Sequence, residues 1–192
     1  SNQRIYTDRK PHWEKPLLVL NLLNEMKESD ELMWVDTDTI VMREDVSPKG
    51  VLQSDSDIGF CADKAETPFN TGVFIARPNN RVKKFLKDVI DCGPMSNIRY
   101  HDQSRICERM PHHPDMKVQM LPIEWNYAGC TDWARIGCAD PIIQAFHGWP
   151  RDKAIKKMAV LMGLEQPVAE VETFGPKPVL CFPCMTYVNV DE

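Results

Sequence analysis

Four apolar residues, Leu32-Met33-Trp34-Val35, run directly into Asp36-Thr37-Asp38, and no other segment constrains the fold so tightly. So short an apolar run, ended by polar residues, reads as a buried strand. Alternate side chains of a strand share a face, so Asp36 and Asp38 point together where the strand leaves its sheet. Two carboxylates that close repel at neutral pH, and a hard divalent cation such as Mg²⁺ or Mn²⁺ relieves them best. Two chemistries fit the pair: cation-held transfer from a phosphorylated donor, or attack by one aspartate on a phosphate.

Around that strand the pattern alternates. Residues 13–27 read as a helix with Pro16 in its first turn and Leu20, Leu23 and Met26 along one side. Ile58 to Ala62 and Val73 to Ala76 read as buried strands. Val82, Phe85, Leu86, Val89 and Ile90 give the clearest amphipathic helix, from Asn80 to Asp91. A shorter helix starts near Asp102, a strand is expected over Val118 to Leu121, and Ile142 to Phe146 suits a short strand or buried connector. Arg151 to Leu164 reads as a helix with Ile155, Met158, Ala159 and Met162 inward. His112 and His113 lie in a proline-bounded loop and are expected to be exposed. Strands interspersed with helices define a single α/β domain over residues 1–192, with 165–192 an irregular carboxyl-terminal segment packed on it.

Composition narrows the function. At 192 residues the chain can fill one substantial core. With 23 basic and 28 acidic residues its formal charge is -5, and no basic run argues for a nucleic-acid partner. No apolar stretch reaches membrane-spanning length. Seven scattered cysteines suit reduced thiols; Cys181-Phe-Pro-Cys184 has ligand-like spacing, but no second such pair accompanies it.

Several separated segments then share one resemblance. Trp34-Val35-Asp36-Thr37-Asp38, Asp63 after the next strand, Phe69-Asn70-Thr71-Gly72-Val73, His101-Asp102-Gln103, Leu121-Pro122 with Trp125-Asn126, and Ala145-Phe146-His147-Gly148 stand in this order. In that order they resemble metal-dependent nucleotide-sugar glycosyltransferases of the A-type (GT-A) fold with an Asp-x-Asp motif. The likeness is greatest to retaining families that include glycogenin, lipooligosaccharide galactosyltransferases and fungal mannan-type enzymes. Ser1 to Tyr6 resembles the helix after their first strand, and Trp13-x-Lys15 the helix before the Asp-x-Asp strand. The resemblance implies a mostly parallel mixed sheet flanked by helices, with the first strand missing from the chain.

It also implies roles. Asp36, Asp38 and His147 would hold Mn²⁺ or Mg²⁺ against the diphosphate of a UDP-sugar donor. Asp63, Asn70, Gly72, Trp125, Asn126 and Gly148 would line the donor pocket. Asp102 would bind donor hydroxyls, and Gln103 would lie beside the reacting anomeric carbon. A glutamine amide is a poor nucleophile, which favours leaving-group-assisted front-face attack. The acceptor would be a glycan or another hydroxyl. A larger glycan-synthesis protein acting on the cytosolic side, a virus-encoded one included, could carry such a domain.

Alternatives stay open at this point. Asp36-Thr37-Asp38-Thr39 also resembles the first motif of haloacid-dehalogenase-type phosphatases, with Asp36 as nucleophile. That reading needs a later acidic cluster, and Asp55-Ser56-Asp57 is the nearest. A sugar nucleotidyltransferase shares the architecture and the metal requirement, and an inactive sugar-binding module could keep the pocket.

Overall fold

The computed structural model of the chain describes residues 11–62, 67–93, 101–128, 138, 140–147 and 150–163. Two sheets organise them. The larger has the order β1 (Leu32–Val35), β4 (Phe69–Ala76), β3 (Ile58–Ala62) and β5 (Val118–Leu121). The smaller has the order β2 (Thr39–Val41), β7 (Ile143–Ala145) and β6 (Tyr127–Ala128). The helices are α1 (Lys15–Glu25), α2 (Asn80–Cys92), α3 (His101–Arg109) and α4 (Arg151–Leu161). The residues proposed for the helix after a missing first strand, and the segment 165–192, lie outside the described residues.

The sheets are mixed, but antiparallel pairs prevail among the described residues where parallel ones were expected. β4 is antiparallel to both β1 and β3, β2 is antiparallel to β7, and only β3–β5 and β6–β7 run parallel. Connection length accounts for it. β3 ends at Ala62 and β4 begins at Phe69, too short a link for the crossover that a parallel pair needs.

β4 is buried along its whole length. Its alternate residues feed two cores, as period-two geometry requires. Phe74 and Ala76 join Val19 and Leu23 of α1 and Val82, Phe85, Leu86 and Val89 of α2. Val73 and Ile75 join Met33, Leu52, Leu121, Trp125 and Ile143. Each such large side chain contributes about 1.5–3 kcal/mol when fully buried. α2 begins where Asn79 Oδ1 accepts the Val82 N–H at 3.0 Å, and Gly93, at φ 67°, ends it in a conformation that glycine adopts without strain.

Two sequence expectations change. In α4, Ala159 turns inward as expected and Ala154 joins it, while Ile155 and, just past the helix, Met162 are exposed, because apolar periodicity alone did not fix which face packs. His113 is buried rather than exposed: its ring meets Phe85 edge-on, and Nε2 lies 3.0 Å from Asp88 Oδ2. His112 is exposed as expected.

Asp57 ties three elements together. Its carboxylate, 2% exposed, accepts from Asn79 Nδ2 at 2.7 Å, Arg81 Nε at 2.8 Å and the Lys117 N–H at 2.8 Å. It thus fastens the start of α2 and the approach to β5 beside β3. Burial alone would raise its pKa, but the Arg81, Lys117 and Asn79 donors outweigh burial and hold it below the ordinary 3.8. The stability it adds is therefore present above the ordinary carboxylate range and lost as pH falls through it. Asp57→Asn is expected to cost about 1–3 kcal/mol near pH 7. Thermal melts across pH should show the gap to the parent protein closing below about pH 4; a gap of constant size there would contradict this role.

Candidate active site

The site grows from a break in a ladder. Phe60 pairs with Phe74, but the next residue of β3, Cys61, pairs with Asn70, so Thr71, Gly72 and Val73 fall outside the β3 register. Such bulges free backbone groups and re-aim side chains. Here the side chains of Gln103, Lys15 and Asn70 and the Asp36 backbone bond to the groups of Thr71 and Gly72. The Thr71 N–H donates to Gln103 Oε1 at 3.0 Å, and the Gly72 N–H to Asn70 Oδ1 at 2.7 Å. The Thr71 carbonyl accepts from Lys15 Nζ at 3.1 Å, and the Gly72 carbonyl from the Asp36 N–H at 2.7 Å.

Lys15, at the start of α1, is 7% exposed. Its ammonium lies 3.0 Å from Asp36 Oδ1 and 3.0 Å from Asp102 Oδ2, 5.9 Å from the centre of the Trp34 ring. Trp34 Nε1 donates to Asp36 Oδ1 at 2.7 Å. Burial works to lower the Lys15 pKa, but Asp102 and then Asp36 outweigh it and hold the ammonium above its ordinary value. For Asp36 burial prevails and raises the carboxyl, against the pull of Lys15 and Trp34. These tendencies oppose each other; an ammonium touching two carboxylates, with the Asp36 side chain still 32% exposed, decides for the ion pair.

The network gathers Asp36, Asn70, Gly72, Asp102, Gln103 and Asn126. Asp102 Oδ2 also accepts from Thr71 Oγ1 at 3.4 Å, and Gln103 Nε2 donates to Thr67 Oγ1 at 2.6 Å. Both ends of the Gln103 amide are thus engaged. Asn126 Nδ2 donates to Asn70 Oδ1 at 2.8 Å. Next to Asp102, His101 opens α3 at φ 45°, a left-handed conformation that a non-glycine residue holds only when its surroundings impose it.

Gly72 lies inside β4 rather than in a turn. A β-carbon there would stand 2.8 Å from Asn70 Oδ1 and 3.4 Å from Asp36 Oδ2, so close packing against the site requires glycine. Trp125 is a core residue, 5% exposed: the turn after Pro122 carries it under the sheet, where it offers no open ring face. Asp63 and Gly148 lie outside the described residues.

Asp38 and His147 stand apart from this network, yet near each other along the chain's path. The Phe146 N–H donates to the Asp38 carbonyl at 2.8 Å, extending the β2–β7 ladder and bringing His147 beside the Asp38 segment. Neither the Asp38 carboxylate nor the His147 ring has a hydrogen-bond partner among the described residues, and both are half-buried. A carboxylate and an imidazole left unpaired suit a divalent cation. Asp36 could join them only through the edge that Lys15 and Trp34 leave open. Among the described residues no three acidic, histidine or cysteine side chains gather as a ready ligand set. Asp57, the acid nearest to what a phosphatase would need, is taken up by Asn79, Arg81 and Lys117.

Lys15 enters the sequence analysis only in the helix motif Trp13-x-Lys15, with no role at the site. Its signal was faint, a lysine just before the helical proline Pro16, and its buried ion pairs depend on α1 packing over β4.

No protein-family model and no curated protein sequence matches the chain. Solved structures do match. A glycosyltransferase involved in the glycosylation of the major capsid of PBCV-1 superposes with a TM-score of 0.63 at 14% identity, over 82% of this chain and 80% of that one. The galactosyltransferase LgtC, in complex with donor and acceptor sugar analogs, gives 0.50 at 16% identity, over 80% of this chain and 68% of its own. The chain has a GT-A-like fold, a mixed sheet flanked by helices as in nucleotide-sugar transferase domains. No described helix is long and apolar enough to cross a membrane.

Lys15→Met would leave the Asp36 and Asp102 carboxylates unpaired where they are largely desolvated, at a cost of about 3–5 kcal/mol. Denaturant midpoints of the purified variant check this; a loss under about 1 kcal/mol would mean the pair is solvated. Gly72→Ala is expected to lose about 1–3 kcal/mol through the clash with Asn70, while the same change at Gly50, with nothing within 4 Å but φ 78°, should cost only what its backbone strain dictates.

Proposed function

We propose that the chain is a glycosyltransferase that moves a hexose from a UDP-sugar to a hydroxyl of a glycan or similar acceptor, with a divalent cation and with retention at the anomeric carbon. One observation carries it. Asp36, the Asn70 to Gly72 bulge, Asp102-Gln103 and Asn126, far apart in sequence, are drawn into a single buried polar network on a fold of the nucleotide-sugar transferase type.

Asp38 and His147, with the open edge of Asp36, would hold Mn²⁺ or Mg²⁺. When bound, that ion supplies Lewis-acid relief of the charge that builds on the departing nucleoside diphosphate. The chain's own residues do the rest. Lys15 fixes Asp36 and Asp102 relative to each other, so that sugar hydroxyls meet acceptors already oriented. Gln103, whose amide is held by Thr71 and Thr67, would serve as a polar group beside the reacting face rather than as an attacking one. Asn70 and Gly72 would form the floor beside Asp36, where a β-carbon on Gly72 would crowd the Asn70 amide. Asp63 and Gly148 would line the donor pocket, and Trp125, whose ring is buried, would pack behind it.

The phosphatase alternative has less support, since both oxygens of Asp36, its nucleophile, face Lys15.

Release of UDP from UDP-glucose and UDP-galactose, with Mn²⁺ and with Mg²⁺, tests the proposal. Turnover is expected with one of these donors, reduced about 100-fold or more in Asp38→Asn with folding intact. Absence of both binding and turnover across the donors would overturn it, and an inverted anomeric product would remove the role given to Gln103.

A further inference from the structure

Both oxygens of Asp36 are engaged within the protein. Oδ1 accepts from Trp34 Nε1 at 2.7 Å and lies 3.0 Å from the Lys15 ammonium, and Oδ2 accepts from the same nitrogen at 3.1 Å. Lys15 is held from behind as well, 3.0 Å from Asp102 Oδ2 and 3.1 Å from the Thr71 carbonyl oxygen. An ammonium has three protons, and Asp36, Asp102 and Thr71 use all of them. Asp38, two residues on, differs: neither its carboxylate nor the His147 ring has such a partner among the described residues. The two aspartates of one motif therefore do not offer a cation the same thing.

Asp36 is within reach of solvent, its side chain 32% exposed, whereas Lys15, 7% exposed, has little water to retreat into. To serve a cation beside Asp38 and His147, Asp36 would have to share its oxygens with a positive charge. Like charges that close, in a partly buried place, repel strongly. Three carboxylates, Asp36, Asp38 and Asp102, face one ammonium, so the site presents two negative charges to a cation rather than three. Among the described residues no three acidic, histidine or cysteine side chains gather as a metal-ligand set, in keeping with an Asp36 turned toward Lys15.

We propose that Lys15 is a positioning residue that competes with the divalent cation for Asp36, and so sets how tightly the protein holds that cation. The idea rests on the cation-dependent reading of the site and deepens it. Lys15 acts through Asp36 alone: it holds both oxygens of the one aspartate and leaves Asp38 and His147 untouched. Its coupling to the cation is unfavourable and reciprocal, so whatever loosens Lys15 from Asp36 tightens the cation, and a bound cation loosens Lys15. The stability that Lys15 lends the fold and the cation affinity it withholds come from the same contact.

Titrations with Mn²⁺, read from the electron paramagnetic resonance signal of the free ion, test it without any turnover, in the absence of nucleotide and again with UDP. Lys15→Met is expected to bind Mn²⁺ about tenfold or more tighter than the parent protein. Loss of a residue that only supported the fold would weaken binding instead. The double variant Lys15→Met/Asp102→Asn removes one charge of each sign, so the net charge of the site is unchanged while Asp36 is released. It should still bind about threefold or more tighter than the parent protein, and it takes the place of Lys15→Met if that variant does not fold. Equal or weaker binding in the variants would overturn the proposal, and so would tightening in Lys15→Met that vanishes in the double variant, since net charge would then be the whole cause. Asp38→Asn is expected to lose the ion; binding there equal to the parent protein's would put the ion elsewhere and end the proposal. If neither the parent protein nor the variants bind Mn²⁺, with UDP or without, the cation-dependent reading falls and this one with it.

Discussion

The ammonium of Lys15 is the contact on which the rest of this structure turns. Asp36 and Asp102 arrive from different elements, one at the end of β1 and one in the first turn of α3, and each is 3.0 Å from the same nitrogen. Without a cation between them, two carboxylates in so little water would repel each other and oppose the docking of α3. The same nitrogen holds the Thr71 carbonyl, so the start of α1 is pinned to the bulge of β4. Packing of α1 through Val19 and Leu23 and assembly of the polar network are therefore one event.

The bulge supplies the complementary constraint. In an unbroken ladder the β3 side of Thr71 and Gly72 would bond to a neighbouring strand and leave no group for side chains to meet. The slip between Phe60 and Cys61 removes that partner, and Gln103 and Asn70 replace it. Local irregularity is tolerated because the flanking residues Phe74, Ile75 and Ala76 are fully packed. The fold thus spends its regular part on rigidity and its irregular part on polar groups, the usual division between scaffold and site.

Much of this could be read from the chain. β1, β3 and β5 fall where their apolar runs stand, and α2 follows its period closely because its caps, Asn79 and Gly93, are explicit. β2 was not legible: Thr39-Ile40-Val41 is too short to stand out and exists by pairing with β7. The start of β4 was missed because Asn70, Thr71 and Gly72 look like loop residues, and it is the pairing on either side of them, Asn70 with Cys61 and Val73 with Val35, together with burial, that makes them strand. Among site residues, the acids and amides were visible as motifs with roles, while Lys15 stood only in a helix motif with none. A lysine buried by two carboxylates has the same letter as one in water, and its meaning depends on a contact that spans much of the chain. His113 shows the same limit, since Asp88 and Phe85 bury it from a helix well upstream.

A double-mutant cycle joining Lys15→Met and Asp102→Asn, read as unfolding free energy, addresses the central contact most directly. If Lys15 holds the two acids together in a desolvated network, the double variant should be more stable than the sum of the single losses predicts, by about 2 kcal/mol or more. Losses that add to within about 0.5 kcal/mol would show that Lys15 and Asp102 do not depend on each other, and that the polar network is held by something else.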